Sequence, residues 1–366
     1  MSKPLRVLHF QGRMGRGGAE TFMMNTYRNL DRTKIQFDFL IYDEFKDVQP
    51  YHKEIESLGG RIFYVTNPKK NIFNYIKEVK QLLKKESFDI VHSQVFFGGG
   101  LNLWLANQAG IKKRIVHSHA TAHEQGQSIV FKTIRKVLDQ LMFKYATDYL
   151  ACSYDAGRAL FGNDHDFVFV PNGIDLEKYR SVPLSKTEIK AQLSIDDKTF
   201  VVGHIGRFEE QKNHALLVEI FQAILEKQPD SHLLLLGEGS LEESIKEKVA
   251  SLGINEKVSF LGVREDIPEL LKAFDVFLMP SLYEGLPISA VEAQASGNKL
   301  VLADTISKET KLSENVTFVP LDKPKDYWAE KVLSEPLGNE ALKELEAYDM
   351  RHTARMMEDI YLNWRN

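Results

Sequence analysis

The sequence predicts an α/β protein made of two doubly wound parallel-sheet domains, and three observations carry that expectation. Short apolar runs alternate with amphipathic helical segments along the whole chain, the pattern of a parallel sheet covered by helices on both faces. The alternation breaks once, at Pro171-Asn172-Gly173-Ile174-Asp175, and a fresh series starts at Phe200. A chain of 366 residues is also longer than one hydrophobic core usually organises.

Taken in order, the first series of strands is Val7 to Phe10, Phe37 to Tyr42, Ile90 to Ser93, Arg114 to His117, Tyr149 to Cys152 and Val168 to Val170. The second is Phe200 to His204, His232 to Leu236, Val258 to Leu261, Val276 to Met279, Leu300 to Ala303 and Val316 to Val319. These place a first domain at residues 1–175 and a second at 176–345. The tail, 346–366, reads as a helix that returns to the first domain, with Tyr348, Met356, Met357, Ile360 and Tyr361 as its apolar side.

Composition narrows the class. The apolar content of 43% and charged content of 27% are ordinary for a globular chain, and the single Cys152 cannot form an intrachain disulfide. The start of the chain lacks the apolar core of a secretory signal, and no apolar run approaches the roughly 20 residues that cross a bilayer, so the expectation is a cytoplasmic protein. Residues 1–170 hold 24 Lys and Arg against 17 Asp and Glu, whereas residues 171–366 hold 23 against 34. The basic excess of the first half suggests peripheral contact with an anionic membrane, with residues 71–85 as the candidate helix; the plainer account is a solvated outer helix. Nucleic acid is not expected as a partner, because the pI of about 6.3 gives no global basic footprint.

The richest stretch for chemistry follows the strand at Val276 to Met279. Pro280-Ser281-Leu282-Tyr283-Glu284-Gly285-Leu286-Pro287 leads into a helix that carries Glu292. Pro287 suits the first helical turn, where its missing N–H costs nothing. The free amides of that turn attract phosphate, and open parallel sheets bind ligands at this carboxyl edge. Glu284 and Glu292 accept hydrogen bonds from hydroxyls, so the combination suits a ligand that is part phosphate and part sugar. Helix-start charge complementarity is the plainer account of the two acids.

Gly206 and Arg207 stand past the strand that opens the second domain, with Lys212 at the start of the next helix. The planar fork of Arg207 and the point charge of Lys212 fit a diphosphate; surface salt bridges to Glu209 and Glu210 are the alternative. In the first domain, Gly12-Arg13-Met14-Gly15-Arg16-Gly17-Gly18-Ala19-Glu20 joins a strand to a helix. Its glycines permit close approach of a phosphate, but their spacing departs from the dinucleotide fingerprint, and a tight turn without ligand is the alternative. His117, His119 and His123 are spaced too loosely for zinc, and His119, at a strand's carboxyl end, is the better candidate for hydrogen bonding to substrate. Asp164-His165-Asp166 reads as solvated turn chemistry rather than a metal site.

Together these segments resemble the retaining glycosyltransferases of family 4, and among them those that build bacterial capsular and secreted polysaccharides. The matching elements are Gly17-Gly18-Ala19-Glu20, His119, Val170-Pro171-Asn172-Gly173-Ile174-Asp175, Gly206-Arg207 with Lys212, Leu236-Gly237-Glu238-Gly239, Leu261-Gly262-Val263, and the paired acids Glu284 and Glu292. The resemblance implies the GT-B fold, two Rossmann-like domains facing across a cleft with the C-terminal helix crossing back. It implies that Arg207 and Lys212 bind the donor diphosphate, that the backbone at Val263 and Arg264 meets the base, that Glu292 holds the ribose, and that Glu284, with Gly285, Leu286 and Pro287 beside it, meets the donor sugar and phosphates. Gly17 and Gly18 would close over the phosphates from the other domain, and His119, Arg207, Lys212 and Glu284 form the catalytic set.

The implied reaction is metal-independent transfer of a hexose from a nucleotide-diphosphate sugar, a UDP-sugar by expectation, to a glycan or lipid-linked acceptor with retained configuration. No cofactor beyond the substrate nucleotide sugar is expected. Where many family members continue the paired acids with a proline and a Gly-Gly turn, this chain has Ser296-Gly297-Asn298 and Ala303-Asp304-Thr305, which bears on the identity of the donor sugar. The alternatives are a nucleotide-sugar epimerase of the same fold and a catalytically silent nucleotide-sugar-binding subunit.

Overall fold

The computed structural model describes residues 3–363 except 16, 48–49, 97, 120–128, 337 and 339–342. Arg16 and His123 therefore lie outside the described residues. The chain divides into two units, 1–173 with 350–366, and 174–349. Ile174 and Asp175, and residues 346–349, belong to the second unit rather than to the flanking segments. The cause is local: Ile174 pairs with Asp349, and its N–H donates to the Tyr348 carbonyl at 2.7 Å.

In the first unit the described strands are β1 (Leu5–Gly12), β2 (Ile35–Tyr42), β3 (Arg61–Val65), β4 (Ile90–Ser93), β5 (Lys113–Ser118), β6 (Asp148–Ala151) and β7 (Val168–Phe169). All pair in parallel, in the order β3-β2-β1-β4-β5-β6-β7. The run is apolar on both sides because helices cover both faces: in β1, Val7 enters one core with Phe37, Phe39 and Ile115, while its neighbour Leu8 enters another with Leu40, Val91 and Val116. Strand β3 escapes the sequence reading. It is a short edge strand in which only Val65 is buried, although Ile62, Phe63 and Tyr64 are strand-forming residue types.

The second unit contains β8 (Phe200–Ile205), β9 (Ser231–Leu236), β10 (Val258–Gly262), β11 (Val276–Met279), β12 (Lys299–Ala303) and β13 (Val316–Val319). They form a six-stranded parallel sheet ordered β10-β9-β8-β11-β12-β13. In each sheet the chain order reverses beside the first strand, between β1 and β4 and between β8 and β11. Such reversal points open a crevice past the carboxyl ends of the strands, because the two connections leave toward opposite faces. The helix Met350–Leu362 belongs to the first unit, where Met357 and Tyr361 are fully buried in the core beside the helix Gly18–Asn29.

Candidate active site

The loops that leave β8 and β11 are stitched together at the reversal point of the second unit. Asn213 takes a left-handed conformation (φ 54°) and its amide donates to the Pro280 carbonyl at 3.1 Å. Leu282 N–H donates to Gln211 O at 2.8 Å, and the Gln211 side chain donates to Tyr283 O at 3.0 Å. From the other side, Thr305 donates to Ser281 O at 2.7 Å and Ser307 N–H to Glu284 O at 3.2 Å. Glu284 is thus held on a loop whose backbone polar groups are paired with both neighbouring loops.

This places Lys212 Nζ 2.6 Å from Glu284 Oε1, with their side chains only 14% and 10% exposed. Arg207 is exposed, and among the described residues its guanidinium has no ion-pair partner. The alternative of salt bridges to Glu209 and Glu210 is not what forms, since Glu209 instead accepts from Ser240 N–H at 3.3 Å and its hydroxyl at 3.0 Å. The stem of Lys212 crosses Gly206, where an added Cβ would sit 3.1 Å from its Cδ and 2.7 Å from His204 Nε2. Gly237 (φ +135°) packs against the Gly206 carbonyl so closely that a Cβ there would collide with it. Phe208 N–H then donates to Glu238 O at 3.0 Å. The glycines after β9 thereby set the height of the Arg207 loop.

Glu292 lies in the second turn of the helix Ile288–Ala295, and its Oε1 accepts from the Tyr179 hydroxyl at 2.6 Å. Burial raises its pKa, and the Tyr179 hydrogen bond works against that rise. Burial, and then Glu292 itself, push the Tyr179 phenol well up. Tyr179 sits on the short helix Leu176–Arg180 and was not singled out from sequence. Its signal there, one aromatic in a polar stretch after the Pro171-Asn172-Gly173 break, is not distinctive. Pro287 is the residue that caps this helix rather than its first helical residue, with an extended ψ of 123°, and no side chain caps the start. The amides of the first turn therefore carry the site's remaining donor capacity. Gly285 and Leu286 are partly buried in the same loop. Val263 follows β10 at the same carboxyl edge, 47% exposed, while Arg264 forks onto Asp266 at 2.8 and 2.6 Å.

Two of the segments singled out from sequence lie in the first unit. Gly17 caps the helix Gly18–Asn29 without a side-chain bond, and a Cβ there would collide with the buried Glu20 carboxylate. Beyond β5, His119 Nε2 lies 2.6 Å from Gln94 Oε1. His119 ends a row of buried imidazoles that the sequence reading saw only in part. His9 on β1 lies tilted against His92 on β4 at a centroid separation of 5.0 Å, His92 stacks on His117 of β5 at 5.4 Å, and His117 meets His119 at 4.0 Å. Strand register explains the row: His9 pairs directly with His92, information that linear spacing does not carry. Burial lowers the pKa of His9 and His119 to about 3 and drives His92 and His117 well below the usual value. Among the described residues no group of three or more His, Cys, Asp or Glu side chains is arranged to hold a metal ion.

Two helices of the first unit expose apolar side chains near lysines. In Ile72–Lys85 the apolar residues Tyr75, Val79 and Leu83 are buried in the core, leaving Ile72 and Phe73 outward. The helix Ile129–Tyr145 also exposes Ile129, Ile134 and Val137 at 83%, 51% and 50%, beside Lys132 and Lys136. Among the described residues no helix is long and apolar enough to cross a membrane.

With this geometry in place, the comparisons with known proteins give the class. The model of glycosyltransferase family 4 matches residues 16–178, and that of the group 1 glycosyl transferases matches residues 185–329. The putative glycosyltransferase EpsF of Bacillus subtilis is 38% identical over 338 residues, 90% of this chain and 88% of its own length. The chain belongs to the family 4 glycosyltransferases. An Escherichia coli protein named UDP-Gal:alpha-D-GlcNAc-diphosphoundecaprenol alpha-1,3-galactosyltransferase is 30% identical over 307 residues, 78% of this chain and 79% of its own. Anabaena HepE, solved in complex with UDP, shares the GT-B fold with a TM-score of 0.73 at 18% identity, covering 98% of this chain and 95% of that one.

Proposed function

We propose that this glycosyltransferase moves a hexose from a UDP-sugar to a glycan or lipid-linked acceptor in bacterial polysaccharide biosynthesis, with retained configuration and without a metal ion. The observation that carries the reading is the partly buried Lys212–Glu284 pair beside the unpaired Arg207, at the reversal point of the second sheet. Arg207 and Lys212 supply the positive charge that a departing diphosphate needs, and the uncapped helix at Ile288 adds backbone donors. Glu292, fixed by Tyr179, accepts the ribose hydroxyls. Glu284 is committed to Lys212, which suits a role in orienting sugar and cation better than one as a nucleophile. Catalysis then rests on positioning and on stabilising the leaving diphosphate.

The E. coli relative's name supports a UDP-sugar donor and a diphosphoundecaprenol-linked acceptor. An acceptor held in a membrane fits the exposed apolar and basic face of Ile129–Tyr145, which we assign to peripheral contact with anionic lipid at the cytoplasmic face. Incubation with UDP- and GDP-hexoses in the presence of a chelator tests the reading. It predicts slow release of UDP and an α-configured sugar from an α-linked donor. Inverted product, or release that requires added divalent cation, contradicts it.

A further inference from the structure

The loop that carries Glu284 is tied on its β12 side to a short turn, and one of the ties is a side chain. Residues Ala303 to Ile306 form a β-turn closed by Ile306 N–H donating to Ala303 O at 3.1 Å, with Asp304 and Thr305 at its two central positions. The far end of the turn is anchored, since Ile306 is 1% exposed and packs in the core of the second unit. From that base Ile306 pairs with Glu284 as an isolated parallel bridge, and Ser307 N–H donates to Glu284 O at 3.2 Å. The Thr305 hydroxyl adds a second tie three residues upstream of Glu284, donating at 2.7 Å to the carbonyl of the fully buried Ser281. A carbonyl can only accept, so the direction of this bond is fixed. Among the described residues it is the one donor bonded to that carbonyl.

We propose that Thr305 is a positioning residue whose hydroxyl pins the start of the Glu284 loop, and so holds the Glu284 carboxylate at one place beside Lys212 and in one orientation toward the donor's sugar. This deepens the proposed function and rests on the assignment of Glu284 to that sugar. The pin acts on the sugar rather than on the phosphates. Arg207 and Lys212 stand on the connection after β8, which the Thr305 hydroxyl does not touch, so UDP alone does not sense its loss. Without the hydroxyl a buried carbonyl has no partner, and the loop gains by shifting until water reaches it. Glu284 then moves with the loop, and a shift of about 1 Å in a group that orients a reacting sugar lowers turnover. The threonine methyl is not needed for this, so serine in its place still pins the loop.

A kinetic double-variant cycle tests the link. Release of UDP from UDP-glucose and UDP-galactose is measured for the wild type, Thr305→Val, Thr305→Ala and Thr305→Ser, each also combined with Glu284→Gln, and calorimetry reports the UDP affinity of each protein. Thr305→Val and Thr305→Ala both lack the hydroxyl and are expected to lower kcat by about tenfold or more, with UDP binding no weaker than in the wild type. Thr305→Ser is expected to recover most of the turnover. In the Glu284→Gln background the carboxylate is already gone, so Thr305→Val is expected to cost less than about twofold more, because two changes that act through one group do not add. Unaltered kcat without the hydroxyl overturns the proposal, as does turnover that serine fails to recover or a loss that adds in full to that of Glu284→Gln. Turnover and UDP affinity falling together also overturn it, since the hydroxyl then serves the fold of the whole site. If Thr305→Val does not fold, Thr305→Ala carries the same comparisons. Wild-type binding of UDP separates the two readings: a failed cycle in a protein that binds UDP removes the Thr305 pin alone, whereas a wild type that binds no UDP removes the glycosyltransferase site and the pin with it.

Discussion

Lys212 and Glu284 are the groups assigned to the donor's phosphates and sugar, and in the free protein they hold each other. A bare nucleoside diphosphate must share Lys212 with that carboxylate and meets its negative charge. Glu284→Gln removes the charge and frees the cation. Its affinity for UDP, read by calorimetry, should rise about three- to tenfold, the scale of a partly screened ion pair, while sugar transfer falls. Unchanged or weaker UDP binding would show that the pair does not compete with phosphate. Glu292 behaves differently, because its pKa is raised by burial and held back by the Tyr179 hydroxyl. Removing that hydroxyl in Tyr179→Phe lets the pKa rise further and leaves a buried acceptor unpaired, at a cost of about 1–3 kcal/mol. As pH falls, donor affinity in this variant should therefore begin to weaken at a higher pH than in the wild type, because its carboxyl takes up a proton earlier. Coincident pH profiles for the two proteins would remove Tyr179 from the site.

At the scale of elements, the Arg207 loop owes its position to the glycines after β9. Gly237→Ala puts a Cβ against the Gly206 carbonyl and strains a backbone at φ +135°. A cost of about 1–3 kcal/mol is expected for such strain, together with at least a fivefold loss of UDP affinity as Gly206 and Arg207 shift. A lowered thermal midpoint with intact UDP binding would show that the glycine serves only the fold. Much of this architecture is legible in the sequence, because parallel strands buried on both faces appear as continuous apolar runs and the loops after β8 and β11 are marked by Gly, Pro and charge. What stays hidden has specific causes. Tyr179 meets Glu292 across 113 positions of chain. The histidine row depends on the pairing of β1 with β4, which linear spacing does not encode. Pro287 was displaced by one position because a proline suits both the cap and the first turn of a helix.

Across the whole molecule, buried histidines link stability to pH. His9, His92, His117 and His119 in the first unit and His204 and His214 in the second all have pKa values lowered by burial, His214 to about 4. In the unfolded chain each titrates near 6.5, so protonation favours unfolding. Their stabilising contribution is complete above about pH 6.5 and is lost as pH falls toward the folded values, by up to about 1.4 kcal/mol per pH unit for each ring. Urea unfolding at pH 7.5, 6.5 and 5.5 should show falling midpoints, with the first unit, which holds four of these rings, losing more. Equal midpoints at pH 7.5 and 5.5 would mean that the rings are hydrated in the folded state. The charge of the chain divides along the same lines, with the basic half holding the candidate helix Ile129–Tyr145 and the acidic half holding the loops proposed to bind the donor.

The account depends most on two cations gripping a diphosphate at the reversal point of the second sheet. Calorimetric titration of UDP into the wild-type protein and into the Arg207→Ala/Lys212→Ala double variant measures that grip directly. Loss of two charge-assisted contacts predicts at least about a hundredfold weaker binding in the double variant. Equal affinity in the two folded proteins would contradict it.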